Sequence, residues 1–250
     1  MHVQGSANYI DDVAVPDGTL HVAFALSNVA HGKIKSIDID AARNAEGVHS
    51  VLIAEDIENL FIGPIRHDEP ILASKEVVFF GQAIAAILAD SHNQAKKAAL
   101  LVKAEIEEFE SIVTIDQAMK SKSFLDDPII VSTGDSKKAI KNAKNTLTGS
   151  LSIGGQEHYY LEGQVAISIP TEGNEMVVHS STQNPTEVQH LVAHVLSVPQ
   201  NAIEVITRRM GGGLEVRRLT RLSWHVSVLF FLKKQINPLK RDYPGKMIFC

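Results

Sequence analysis

Two glycine-containing segments hold the residue types best suited to gripping a ligand. The first is Gly154-Gly155-Gln156-Glu157-His158, at the end of an apolar stretch. Paired glycines permit tight backbone geometry and close approach to a ligand, and the amide of Gln156 both donates and accepts hydrogen bonds. A plain glycine turn with polar neighbours accounts for the same residues. The second is Arg208-Arg209-Met210-Gly211-Gly212-Gly213. Successive glycine N–H groups can form an anion-binding concavity. No Gly-Lys-Ser/Thr follows, so this is not the phosphate-binding loop of nucleotide hydrolases.

Other candidates are weaker. His190 and His194 stand one helical turn apart, a spacing that could hold a metal. The residues between them are Leu-Val-Ala, without the glutamate of a zinc protease motif, and structural histidines on a packed helix are the favoured reading. Asp11-Asp12 and Asp126-Asp127 are adjacent carboxylates that point apart in a strand or loop. Turn and cap roles suit them better than acid–base chemistry. The lysines at 120, 122, 137, 138, 141 and 144 read as a solvated face.

The elements that must position these groups follow from periodicity and caps. Strands are expected at Val22–Leu26, at Ile34–Asp40, at Val48–Ile53, and on both sides of Gly81-Gln82 within Val77–Ala89. Ser91 and Gln94 form a capping box that starts a helix carrying Ala95, Ala98, Ala99 and Val102 on one face. Glu105–Glu110 returns as an edge strand. Residues 113–145 read as a linker followed by one exposed helix capped by Asp135. Strands resume at Thr146–Ile153, Val165–Pro170 and Met176–Ser181. Asn184-Pro185-Thr186-Glu187 then supplies a cap, a proline at the first helical position and an early acid. The helix ends near Leu196, and Ile203–Thr207 is a strand delivering the triple glycine. These elements define an α+β chain.

Bulk properties narrow the function. Hydrophobic residues make up 44% and charged residues 21% of 250 positions, with a net charge of −5, which gives no reason to expect nucleic-acid binding. A single cysteine, Cys250, excludes a disulfide framework or a cysteine-based metal site. It fits a reducing, cytoplasmic setting. Residues 1–20 hold Asp11, Asp12 and Asp17 and do not read as a signal peptide. No apolar run approaches the roughly 18 residues of a membrane span.

Taken together the segments resemble a known family. IGGQEHYYLEGQ (Ile153–Gln164), HSSTQNPTEVQHLVAHVL (His179–Leu196) and RRMGGG are similar to the molybdopterin-binding subunit of bacterial xanthine dehydrogenase. GSANYIDD (Gly5–Asp12), IGPIRHDEPILA (Ile62–Ala73) and FFGQAIAAILAD (Phe79–Asp90) resemble the a/b hammerhead domain that precedes it. The resemblance covers residues 2–213 in order and with matching spacing. It implies a hammerhead domain over 1–112, a linker and exposed helix over 113–145, and the start of a molybdopterin-binding domain over 146–213. It further implies molybdenum hydroxylase chemistry on purines or aldehydes, with electrons passing to an iron–sulfur/FAD subunit and on to NAD, and a second copy of the heterodimer. Aldehyde oxidase is the alternative within the family, and a non-catalytic binding or structural module the alternative outside it. By resemblance, Gln156 matches the glutamine that hydrogen-bonds an oxygen ligand of the molybdenum. Gly211, Gly212 and Gly213 match the start of the loop lying against the metal centre.

That loop continues as GGGFGGKE in the family and as Leu214-Glu215-Val216-Arg217 here. The charge balance also changes: 16 Lys+Arg against 27 Asp+Glu up to Gly213, then 8 against 2 from Leu214 onward. Coding the expected GFGGKETH as GGC TTT GGA GGT AAG GAG ACT CAC and deleting one T yields Gly-Leu-Glu-Val-Arg-Arg-Leu-Thr, which is Gly213–Thr220. Residues 214–250 are therefore expected to be out of frame, with Val226–Leu232 an aggregation risk if exposed. The family's general-base glutamate lies beyond Cys250. The chain itself is thus expected to be an inactive fragment that does not retain the cofactor. Residues 146–213 are expected to be marginally stable, with proteolysis leaving a core near 1–112.

Overall fold

The computed structural model describes residues 1–14, 17–63, 66–156, 159, 162–211 and 247–249. They fall into two units, one formed by residues 1–109 together with 160–250 and the other by 110–159.

The first unit is built on strands. These are β1 (Leu20–Leu26), β2 (Gly32–Asp38), β3 (Val48–Leu52), β4 (Phe61–Ile62), β5 (Glu69–Pro70), β6 (Glu76–Val77), β7 (Ala83–Ala89), β8 (Lys103–Glu108), β9 (Ala166–Pro170), β10 (Met176–Ser180), β11 (Ile203–Ile206) and β12 (Met247–Phe249). The largest sheet runs β11-β10-β9-β12-β1-β7-β3, a second runs β6-β2-β8, and β4 pairs with β5. Strand β7, AIAAILA, is apolar throughout because helix and sheet cover both its faces. Residues Ala85–Ala89 are wholly buried. It pairs antiparallel with β1, Phe24 opposite Ala86, and with β3, Val51 opposite Ile87.

Helices α1 (Asp40–Arg43) and α2 (His92–Ala99) pack on one face of this sheet. Helix α1 is a single turn, and α2 starts at Ser91, whose Oγ accepts the Gln94 N–H at 3.3 Å. Ala95 and Ala98 are buried. Small side chains let the helix sit close to β1 and β7. In the other unit lie α3 (Ile115–Ser121) and α4 (Ser136–Lys141), and helix α5 (Pro185–Leu196) connects β10 to β11. Those two strands are parallel, with Val178 opposite Val205, and parallel neighbours need such a crossover.

One core cluster joins Leu20, Val22, Leu52 and Leu88 to Met176, Val178, Val188, Leu191, Val192 and Ile203. The opposite face gathers Ala25, Ile39, Val51, Ile84, Ile87 and Ala98. Each fully buried aliphatic side chain contributes about 1.5–3 kcal/mol, so residues 165–203 share their stabilisation with residues 20–88. A self-contained core near 1–112, with 146–213 as a loosely held half-domain, is not what this packing forms.

The α+β class and most elements match the sequence expectation, with two corrections. Thr146–Ile153 forms no strand: Leu147, Leu151 and Ile153 are 100%, 84% and 77% exposed. An extended apolar segment becomes a strand only when another strand offers its N–H and C=O groups, and none of the described strands pairs with this one. Residues 113–145 hold two helices rather than one. Thr114 and Gln117 form a capping box, with the Gln117 N–H donating to Thr114 Oγ1 at 3.2 Å and the Thr114 N–H donating to Gln117 Oε1 at 3.1 Å. The Asp135 cap stands as expected, accepting the Lys138 N–H at 2.9 Å.

Candidate functional site

The polar residues of His179–Glu187 close the end of β10. Ser181 Oγ accepts the Val165 N–H at 3.1 Å and donates to the Val165 carbonyl at 3.2 Å. Thr182 Oγ1 accepts the Asn184 N–H at 3.1 Å, and Asn184 Oδ1 accepts the Glu187 N–H at 3.2 Å, starting α5. At the far end, Ser197 takes a left-handed conformation (φ 52°) and ends the helix. Gln189 Nε2 donates to the Ile203 carbonyl at 2.7 Å, fixing where β11 begins.

Beyond β11 the chain leaves the sheet as an arm without secondary structure of its own. Thr207 Oγ1 donates to the Ser180 carbonyl at 3.1 Å, Arg209 Nη1 to the Asn8 carbonyl at 2.8 Å, and the Gly211 N–H to Glu162 Oε2 at 2.8 Å. A side chain at position 211 would collide with Glu162 Cβ and come within 3.0 Å of its backbone nitrogen. Gly211 is therefore glycine for a steric reason rather than for a positive φ. Gly212 and Gly213 lie outside the described residues, as do Leu214–Lys246, which include the apolar run 226–232.

Gln156 belongs to the 110–159 unit and is exposed. A Cβ at Gly154 or Gly155 would meet no heavy atom within 4 Å, so no protein packing requires a glycine at either position. Glu157 and His158 are outside the described residues. Gln156 thus lies in one unit and Gly211 in the other.

The remaining candidates separate clearly. Asp12 is a cap, its carboxylate accepting the Tyr9 N–H at 2.8 Å. Asp11 is largely open to solvent, yet its Oδ2 would lie 3.2 Å from a Cβ built on Gly163. Local burial, then the charges of Glu162 and Asp12, raise its pKa above the ordinary carboxylate value. His190 and His194 lie on the exposed face of α5 rather than packed against the core, and the His194 ring sits 5.0 Å from that of His67. Among the described residues no three His, Cys, Asp or Glu could together hold a metal ion.

Two site residues escaped sequence reasoning. Glu162, 5% exposed, lies within the quoted IGGQEHYYLEGQ segment, but nothing in its neighbours marks it as buried. Arg209 is visible as part of RRMGGG, but its partner is 201 positions away. The Gly81-Gln82 turn was legible: Gly81 has φ 85°, and Gln82, buried, accepts the Val78 N–H at 2.8 Å through Oε1.

With this geometry in place, comparison with known proteins places the chain. Residues 4–110 match the "Aldehyde oxidase and xanthine dehydrogenase, a/b hammerhead domain", and residues 122–230 match the "Molybdopterin cofactor-binding domain". Xanthine dehydrogenase of Drosophila subobscura is 41% identical over 214 residues, and xanthine dehydrogenase/oxidase of Rattus norvegicus 40% over the same length. These alignments take in 84% and 85% of this chain but only 16% of each relative, so the chain spans a small part of the proteins it matches. Quinoline 2-oxidoreductase of Pseudomonas putida 86 shares the fold, with a TM-score of 0.82 and 24% identity over 99% of this chain and 33% of that one. The fold is thus one found in a redox enzyme. The chain belongs to the aldehyde oxidase/xanthine dehydrogenase family.

Proposed function

We propose that this chain is part of the molybdenum-binding subunit of a xanthine dehydrogenase-like hydroxylase. On this reading residues 1–112 are its hammerhead domain, 113–145 a connecting segment and 146–213 the opening of its molybdopterin-binding domain. The observation that carries the reading is about 40% identity to xanthine dehydrogenases along most of the chain. The described residues fit the contact that the family's cofactor would ask of them. Gln156 offers an exposed amide able to donate to an oxygen ligand, and Gly154 and Gly155 leave open space beside it. When bound, the cofactor supplies the oxidation of an electron-poor carbon in a purine.

The chain's own residues do the positioning. Gln156 would orient the cofactor's oxygen ligand. Gly211, its N–H donated to Glu162, anchors the loop, and by resemblance Gly212 and Gly213 would belong to the cofactor contact. An iron–sulfur/FAD subunit would take the electrons, and a second copy of the heterodimer would complete the assembly. The setting would be cytoplasmic, without nucleic-acid or membrane partners. Residues 214–250 are on this reading translated out of frame. The departure from GGGFGGKE right after Gly213 and the change in charge balance support this, although the molybdopterin-domain match runs on to residue 230. With Leu214-Glu215-Val216-Arg217 in place of the family's FGGKE, this chain as it stands would be inactive and would not hold the cofactor.

Restoring one base after the Gly213 codon tests the reading. The gene should then read GGGFGGKE, and the restored protein, co-expressed with its iron–sulfur/FAD partner, should contain molybdenum and pterin and oxidise xanthine. Failure to reopen that frame sinks the base-deletion reading. Turnover of aldehydes but not xanthine would move the protein to the aldehyde oxidases. Stoichiometric molybdenum and pterin on the 250-residue chain would overturn its reading as an inactive fragment.

A further inference from the structure

The arm from β11 to the triple glycine is held at alternate residues. Thr207, Arg209 and Gly211 are each partly buried and each tethered, Arg209 both to the Asn8 carbonyl and, at 3.4 Å, to Met1 Sδ, while Arg208 and Met210 between them are exposed. The tethers lead to three separate segments: the end of β10, the N-terminal segment at Asn8, and Glu162. The period is that of a strand, yet the arm pairs with none of the described strands, so these side-chain and backbone contacts do the work of a ladder. A carboxylate as buried as Glu162 is costly unless hydrogen bonds compensate it, and a hydrogen bond to a charged acceptor is stronger than one between neutral groups. The packing of Gly211 against Glu162 Cβ and backbone leaves no room for any side chain at that position.

We infer that Glu162 is a positioning residue for the glycine loop. It fixes the backbone of Gly211, while Arg209 on Asn8 keeps the arm from sliding. The consequence for a cofactor rests on the function proposed above; the fixing of the arm does not. The N-terminal segment and the residue six positions after Gln156 would then set the geometry of a loop that begins beyond position 210.

Amide hydrogen exchange on the 250-residue chain tests this without cofactor or activity. In Glu162→Ala the Gly211 amide should exchange at least about tenfold faster, with the amides of β7 unchanged. Glu162→Gln, which keeps size and an acceptor oxygen, should recover most of the protection. Arg209→Ala should loosen residues 208–210 more than Gly211. Unchanged exchange at Gly211 in Glu162→Ala would overturn the inference. So would equal losses at Gly211 and in β7, because Glu162 would then support the fold in general. Should the alanine variant not fold, Glu162→Gln against wild type decides: a Gly211 amide proton resonance that does not move on loss of the charge refutes the bond. None of these results depends on whether the chain binds molybdopterin, so the two readings can fail separately.

Discussion

The two units of this chain use the same local chemistry and reach different outcomes. Helices α2 and α5 start at Ser91 and Asn184; α3 and α4 start at Thr114 and Asp135. In all four the cap side chain accepts the N–H three residues on. Yet α5 buries Val188, Leu191, Val192, Ala193, Val195 and Leu196, whereas α3 and α4 bury nothing. Capping decides where a helix begins. Burial of an apolar face decides whether a short helix is held, since isolated helices below about 12–15 residues are marginal in water. The proposed cofactor contacts straddle this difference: Gly211 is rooted in a unit with a core, while Gln156 sits in one whose apolar residues, Ile129, Val131 and Leu147 among them, are exposed.

The largest expected effect comes from the core. Leu88→Ala removes a wholly buried side chain and should cost about 2–5 kcal/mol in denaturant unfolding. Ile129→Ala, at a position 91% exposed, should change stability by less than about 0.5 kcal/mol. Similar losses for both would mean that the 110–159 unit has a core of its own and would end the contrast.

Glycine positions give a second test. Gly63 has φ 152°, and a side chain there would run into the Arg66 carbonyl, so Gly63→Ala should cost about 1–3 kcal/mol. Gly154→Ala should leave the denaturation midpoint where it is. If Gly154→Ala also destabilises the chain, the 154–156 turn is packed in solution. The caps come next. Asn184→Ala should lower global stability by about 1 kcal/mol, because α5 is part of the core. Asp135→Ala should melt α4, read as lost helical chemical shifts at 136–141, with the midpoint unchanged.

This division also explains what the sequence disclosed. The β7 strand, the start of α2, both ends of α5 and the Gly81-Gln82 turn were legible because their determinants lie within a few residues of each other, whereas α2 stops at Ala99, short of the Val102 expected on its face. The Thr114–Gln117 box, followed by Ile115, Ala118 and Met119 at helical spacing, carried an equally local signal that the reading of this stretch as a linker passed over. Thr146–Ile153 has the composition of a strand, but strand formation is a property of two segments, and composition reports one. Glu162 on Gly211 and Arg209 on Asn8 join positions 49 and 201 residues apart, and no local pattern encodes such pairs. The cofactor residues came from resemblance to a family, not from spacing.

The smallest effect, a pH dependence, tests the contrast most selectively. His21 in β1 and His179 in β10 titrate below the ordinary imidazole value of 6.5. Burial is the main cause in both, aided by His92 for the first and by Arg208 for the second, where Glu204 pulls weakly the other way. The folded chain therefore binds these protons less readily than the unfolded chain does. Their contribution to stability is complete above 6.5 and is lost as pH falls through that value toward the lowered folded ones. Asp11, whose pKa is raised from 3.8 by burial and by Glu162 and Asp12, acts in the opposite direction. The unfolding midpoint, followed by a core signal, should fall modestly between about pH 7.5 and 5.5, and His21→Gln with His179→Gln should flatten that slope. No histidine occurs from residue 110 to 157, so the helical chemical shifts of α3 and α4 should stay constant over the same range. Parallel drift of both signals would show that the two units unfold together despite only one having a core.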